Sequence, residues 1–136
     1  MSRDKKDLHN ELVNAYELAS TKYKQLYPTA PQPFITCTYR SNDEQDALYA
    51  VGRTKPGKPV TNAQAGQSPH NYQPSFAFDI GFITLDKKLS WDKKYFKWFA
   101  ECIDSASIEW GGKWSFCDPP HFELKAWKTI KDIKHL

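Results

Sequence analysis

Asp79 stands in FAFDIGF, residues 76–82, between apolar neighbours, and His70 precedes it in the turn-prone SPHNYQPS. A carboxylate on a largely apolar strand is costly to bury unless a cation or several donors meet it. With His121, these residues make a set of two imidazoles and a carboxylate. Zinc in a catalytic site takes three such ligands and leaves a fourth position to water. Asp118 lies just before His121 in DPPH, where Pro119 and Pro120 stiffen the backbone. An acid held beside such an ion can act as general base and then as general acid in hydrolysis. Arg40 follows an apolar stretch, and a guanidinium at a strand end suits a developing oxyanion or a substrate carboxylate.

Each residue also has a plainer role open to it. His70 fits as a loop histidine, His121 as a hydrogen-bonded core-edge residue and Asp79 as a salt-bridge residue. Asp118 fits as a turn cap and Arg40 as a surface cation. No HExxH or CxxC spacing is present, so the residues alone leave both readings open. His9 is expected on the polar side of a helix and His135 near the terminus, both solvated. Cys37, Cys102 and Cys117 are too few and too irregular for a disulfide framework and are expected as ordinary buried thiols.

These residues must be positioned by a small fold. The chain has 136 residues, 40% of them hydrophobic and 15% aromatic, enough for one core and too apolar for a disordered chain. A net charge of +3 favours an anionic partner without choosing one. The lysines are scattered, with no basic cluster or aromatic-basic motif, which argues against a nucleic-acid binder. No apolar run is long enough to span a membrane, and MSRDKKDLHNELVN lacks a signal peptide's apolar core. Synthesis in the cytoplasm is the expectation.

Leu8, Leu12, Tyr16, Ala19, Tyr23 and Leu26 recur at helical spacing and predict a helix over 4–27, stopped by PTAPQP. PFITCTY reads as a strand, and Ser41 with Glu44 as a capping box opening a helix from Asn42 to about Val51. Residues 52–69, rich in glycine and proline, form a long loop of the kind that is often functional. FAFDIGFI reads as a strand. SWDKKYFKWFAECIDSA reads as a helix with Ser90 as its cap, IEWGGKWSF as a short strand or hairpin, DPPHFEL as a strand and WKTIKDIKHL as a terminal helix. The order predicts an α+β domain with a small antiparallel sheet packed with helices, spanning 1–136.

SPHNYQPSFAFD is similar to the S-x-H-x-x-G-x-A-x-D signature of the zinc D-Ala-D-Ala carboxypeptidase and L-alanyl-D-glutamate endopeptidase family, peptidase family M15. EWGGKWSFCDPPHFE resembles that family's closing segment. TYRSNDEQDALYAVGRTKPGKPVTNAQAGQSPHN resembles its phage and prophage endolysin-like branch. The resemblance covers about Phe34 to Glu123 and implies a Hedgehog/DD-peptidase-like zinc peptidase fold. It further implies one Zn2+ per chain on His70, Asp79 and His121, with Asp118 as acid/base and Arg40 polarising the scissile carbonyl. Gln45, Arg53, Ser68, Tyr72 and Trp114 would line the substrate cleft. One departure is plain: residues 71–78 separate His70 from Asp79, two more than in the common pattern, and QPS replaces its glycine.

The activity implied is zinc-dependent hydrolysis of the L-alanyl-D-glutamate bond in the peptidoglycan stem peptide. D-alanyl-D-alanine carboxypeptidase action and a non-catalytic zinc module of the same fold are the alternatives. Asp118 and Arg40 speak against the latter, since a structural site needs neither. A monomer without nucleic-acid partner, membrane insertion or separate wall-binding domain is expected. It would reach the wall after lysis or through a phage-encoded pore.

Overall fold

The computed structural model describes residues 1–134. Four helices and five short strands follow in the order α1 (Asn10–Leu26), β1 (Gln32–Cys37), α2 (Asn42–Ala50), β2 (Ala77–Ile83), β3 (Leu89–Ser90), α3 (Lys93–Cys102), β4 (Ile108–Trp110), β5 (His121–Leu124) and α4 (Trp127–Lys134). Every strand pairing is antiparallel, the sheet order is β1-β2-β5-β4, and β3 pairs with the end of β2. The expected α+β class holds. His135 lies outside the described residues.

Alternation along β2 and β5 gives the sheet two chemically different faces, because successive side chains of a strand point to opposite sides. Phe78, Ile80 and Phe82 of β2, with Phe122 and Leu124 of β5, belong to the buried core beneath α1 and α3. Phe82 meets Phe96 of α3 edge-on at 4.8 Å, Phe99 meets Phe122 at 5.4 Å, and Tyr16 of α1 meets Phe78 at 5.5 Å. These edge-to-face contacts suit the ring quadrupoles. The Tyr23 hydroxyl, fully buried, donates to Pro31 O at 2.8 Å, so its burial strands no polar atom. The intervening residues Asp79, His121 and Glu123 are thereby left on the opposite face.

Several boundaries differ from those the sequence predicts. The first helix begins at Asn10, after a separate 3-10 turn at Lys5–Asp7. His9 is its N-cap, half-buried, with Nδ1 accepting from Glu11 N at 3.2 Å and its ring 6.1 Å from Phe76. It is a docked cap rather than a solvated helix residue. Ser90 does not cap α3. It pairs with Phe82 in β3, and Asp92 caps the helix by accepting from Lys94 N at 3.1 Å. The capping box at Ser41 and Glu44 is present in full. Cys117 is exposed, while Cys37 and Cys102 are buried.

Candidate metal centre

The site is assembled where β1, β2 and β5 run side by side. Asp79 is in register with His121 on one side and with Cys37 on the other. A bulge in β1 between Ile35 and Cys37 sets the latter pairing, as bulges beside functional sites commonly re-aim side chains. His70 arrives from the loop on a short 3-10 turn, Pro69–Asn71. Ser68 caps that turn, its Oγ accepting from His70 N at 3.2 Å, while Asn71 Oδ1 accepts from Gly66 N and Ser68 N, both at 3.1 Å.

Three donor atoms converge. Asp79 Oδ1 lies 3.2 Å from His70 Nε2 and 3.0 Å from His121 Nδ1. The outward nitrogen of each ring is held as well: His70 Nδ1 bonds Thr38 O at 2.8 Å, and His121 Nε2 bonds Glu123 at 2.8 Å. Only an imidazolium donates from both nitrogens at once. Burial pushes both rings toward the neutral form, but the charge of Asp79 and its hydrogen bond outweigh this at His70, which is raised to about 10. At His121 the hydrogen bonds to Asp79 and Glu123 do the same, to about 9. Burial pushes the Asp79 carboxyl up, yet the His70 charge and the His121 hydrogen bond hold it far below the carboxylate range.

A divalent cation fits this arrangement. It would take the place of the two inward protons, leaving the two outward hydrogen bonds intact, and that is the pattern of histidines oriented for metal from behind. The donor set of two imidazoles and one carboxylate suits zinc. Cys37, His70 and Asp79 also form a cluster with metal-ligating atoms close together. There Cys37 Sγ lies 3.7 Å from His70 Nδ1, the nitrogen already bonded to Thr38 O. Cys37, in register with Asp79, thus stands beside the His70 ring and also 3.8 Å from Arg40 Nη2.

Around the donors lies a cleft of about 380 Å³ lined by Arg40, Ser68, Asp118, Trp114, Val60 and Phe116, among others. Asp118 is half-buried. Burial raises its carboxyl above the ordinary value and the Asp79 charge adds to this. Its amide donates to Gly111 O at 2.9 Å and its carbonyl accepts from His121 N at 3.1 Å, so DPPH closes a tight turn onto β5. The Arg40 guanidinium sits 3.8 Å from Asp79 Oδ2 through Nη2 and donates to Gln45 Oε1 at 2.9 Å through Nη1.

Of the five expected cleft residues, Trp114 and Ser68 line it, Trp114 with its ring 5.2 Å from that of His121. Gln45, Arg53 and Tyr72 do not. Gln45 is fully buried and serves as a strut, holding Arg40 and donating to Ala63 O at 2.8 Å. Arg53 stacks on Tyr49 at 3.8 Å and donates to Tyr49 O and Thr61 O, tying the long loop to α2. Tyr72 points away, its hydroxyl donating to Gly66 O and its ring packed toward Phe76 and Trp127. The extra residues between His70 and Asp79 leave the cleft alone. Gln73 Nε2 bonds Asp7, and Ser75 exchanges backbone bonds with Asp7 and His9, so the insertion docks on the N-terminal segment. The sequence reading did not single out Thr38, Asn71, Val60 or Phe116. Glu123 recurs two residues beyond His121 and so shares its strand face.

Residues 61–124 match the family described as D-alanyl-D-alanine carboxypeptidase within the M15 peptidases, a span that contains His70, Asp79, Asp118 and His121. The match is to peptidase family M15 and takes in just under half of the chain. The chain is 40% identical over 100 residues to the peptidoglycan L-alanyl-D-glutamate endopeptidase CwlK of Bacillus subtilis (strain 168). That match covers 66% of this chain and 59% of CwlK, so the chain spans about three-fifths of the relative's length. Its fold is similar to that of the L-Ala D-Glu endopeptidase ChiX of Serratia marcescens, with TM-score 0.65 and 23% identity over 90% of this chain and 84% of that one. The LD-carboxypeptidase LdcB is also similar, with TM-score 0.56 and 20% identity over 98% of this chain and 76% of LdcB.

Proposed function

We propose that this chain is a zinc-dependent peptidoglycan endopeptidase of the M15 type that hydrolyses the L-alanyl-D-glutamate bond of the stem peptide. The observation that carries the reading is the convergence of His70 Nε2, Asp79 Oδ1 and His121 Nδ1 within one cleft that also holds Asp118 and Arg40. The 40% identity to CwlK supports the bond specificity, and a net charge of +3 suits an anionic wall.

A zinc ion on the three donors would lower the pKa of a water and polarise the scissile carbonyl. Asp118 then accepts the proton of the attacking water and returns it to the leaving nitrogen, a role helped by a carboxyl whose burial moves its pKa toward neutrality. The Arg40 guanidinium, fixed by Gln45, stabilises the negative charge developing on the carbonyl oxygen. Trp114 and Ser68 belong to the cleft walls that receive the peptide.

The family description favours a second reading, D-alanyl-D-alanine carboxypeptidase action. Mass spectrometry of purified peptidoglycan digested with the zinc-loaded protein separates the two. New N-terminal D-Glu is expected; free D-Ala in its place would make the chain a carboxypeptidase.

A further inference from the structure

We infer that Glu123 is a positioning residue whose carboxylate fixes the tautomer of His121, so that this ring presents Nδ1 to the cation. The inference rests on the reading of His70, Asp79 and His121 as a metal site. Glu123 Oε1 stands 2.8 Å from His121 Nε2, and both residues lie on the cleft face of β5 because strand side chains repeat with period two. Glu123 is 8% exposed, and His121 is the one hydrogen-bond partner of its carboxylate among the described residues. A buried carboxylate with a single donor holds that donor firmly, since losing it would leave the charge unpaired.

The two histidines are oriented through opposite nitrogens. Thr38 O, a neutral acceptor, takes Nδ1–H of His70 and leaves Nε2 facing inward. Glu123 takes Nε2–H of His121 and leaves Nδ1 facing inward. An imidazole free of such a partner would distribute its proton between both nitrogens, and one of those tautomers cannot ligate from this position. A carboxylate behind the ring also raises the basicity of the ligating nitrogen, and loss of such a partner typically weakens metal binding about 10–100-fold. Asp118 remains the proton acceptor in this scheme, because Glu123 is committed to the ring.

Glu123→Gln and Glu123→Leu test the inference. Zinc affinity is measured by competition with a chromophoric chelator, and the ring 15N resonances of His121 report its tautomer in the zinc-loaded protein. Glu123→Leu should bind zinc about 10–100-fold more weakly. Glu123→Gln, which keeps an acceptor oxygen without the charge, should fall between it and the parent, with Nε2 still protonated. If Glu123→Leu does not fold, Glu123→Gln decides: a several-fold loss supports the inference, and unchanged affinity overturns it. Collapse of turnover at unchanged zinc affinity would also overturn it, making Glu123 the proton acceptor. Failure of the parent protein to bind zinc would instead remove the metal reading beneath it.

Discussion

Gly111 and Asp118 are in backbone contact: the Asp118 amide donates to Gly111 O at 2.9 Å, and a Cβ at position 111 would lie 2.5 Å from Asp118 O. The same Cβ would stand 3.3 Å from the Cβ of His121. Gly111 of EWGGK therefore allows Asp118 and His121 to sit close together. Gly111→Ala must push the Asp118 backbone aside, because no flexible side chain is available to yield. A loss of about 1–3 kcal/mol in stability is expected, typical of overpacking, and kcat should fall with it. Urea unfolding and steady-state kinetics check both, and a fully active variant would show that the placement of Asp118 is not critical.

Asp118→Asn should separate metal binding from turnover. It keeps the volume beside Pro119 and removes proton-accepting capacity. General acid–base groups contribute about 10²–10⁴-fold, so a loss of that order in kcat is expected with zinc content unchanged. Loss of zinc would make Asp118 a ligand.

Zinc binding should release protons. His70 and His121, raised to about 10 and about 9, are both charged at pH 7 in the metal-free protein. A cation must displace their inward protons, so about two are released per zinc at neutral pH. Affinity should accordingly increase as pH rises toward 9–10 and weaken as it falls. Calorimetry in buffers of different ionisation enthalpy measures the number, and release near zero would contradict the doubly donating rings.

Gln45→Leu should act through Arg40 and the loop. It removes the partner of Arg40 Nη1 and leaves Ala63 O unsatisfied. Each buried group stranded this way costs about 1–3 kcal/mol. Lower stability and a lower kcat are expected, with zinc content kept. A variant that is as stable as the parent would show that Gln45 is no strut.

Much of this site was legible because strand periodicity is simple. Asp79 among Phe78 and Ile80 announced a charged position on an otherwise apolar strand, and the structure places it opposite His121. The resemblance of 34–123 to M15 peptidases was carried by motifs that the strands and the loop then brought together. Gln45, Arg53 and Tyr72 were assigned to the cleft by motif position alone, and sequence position does not reveal which way a side chain hydrogen-bonds. Their partners, Ala63 O, Tyr49 O and Gly66 O, are main-chain atoms that carry no residue identity. The same is true of Thr38 O behind His70. Ser90 failed as a cap because pairing with Phe82 in β3 and a better-placed Asp92 both compete with it.

Metal content measured together with activity tests the account most directly. The purified protein and Asp118→Asn should each hold about one zinc per chain, the first active and the second nearly inactive. His121→Ala should lose the metal, whereas His9→Ala should keep it, since His9 caps α1. Chelation should abolish hydrolysis of peptidoglycan by the parent protein, and added zinc should restore it. Full activity in metal-stripped protein, or zinc retained by His121→Ala, would contradict the assignment of His70, Asp79 and His121.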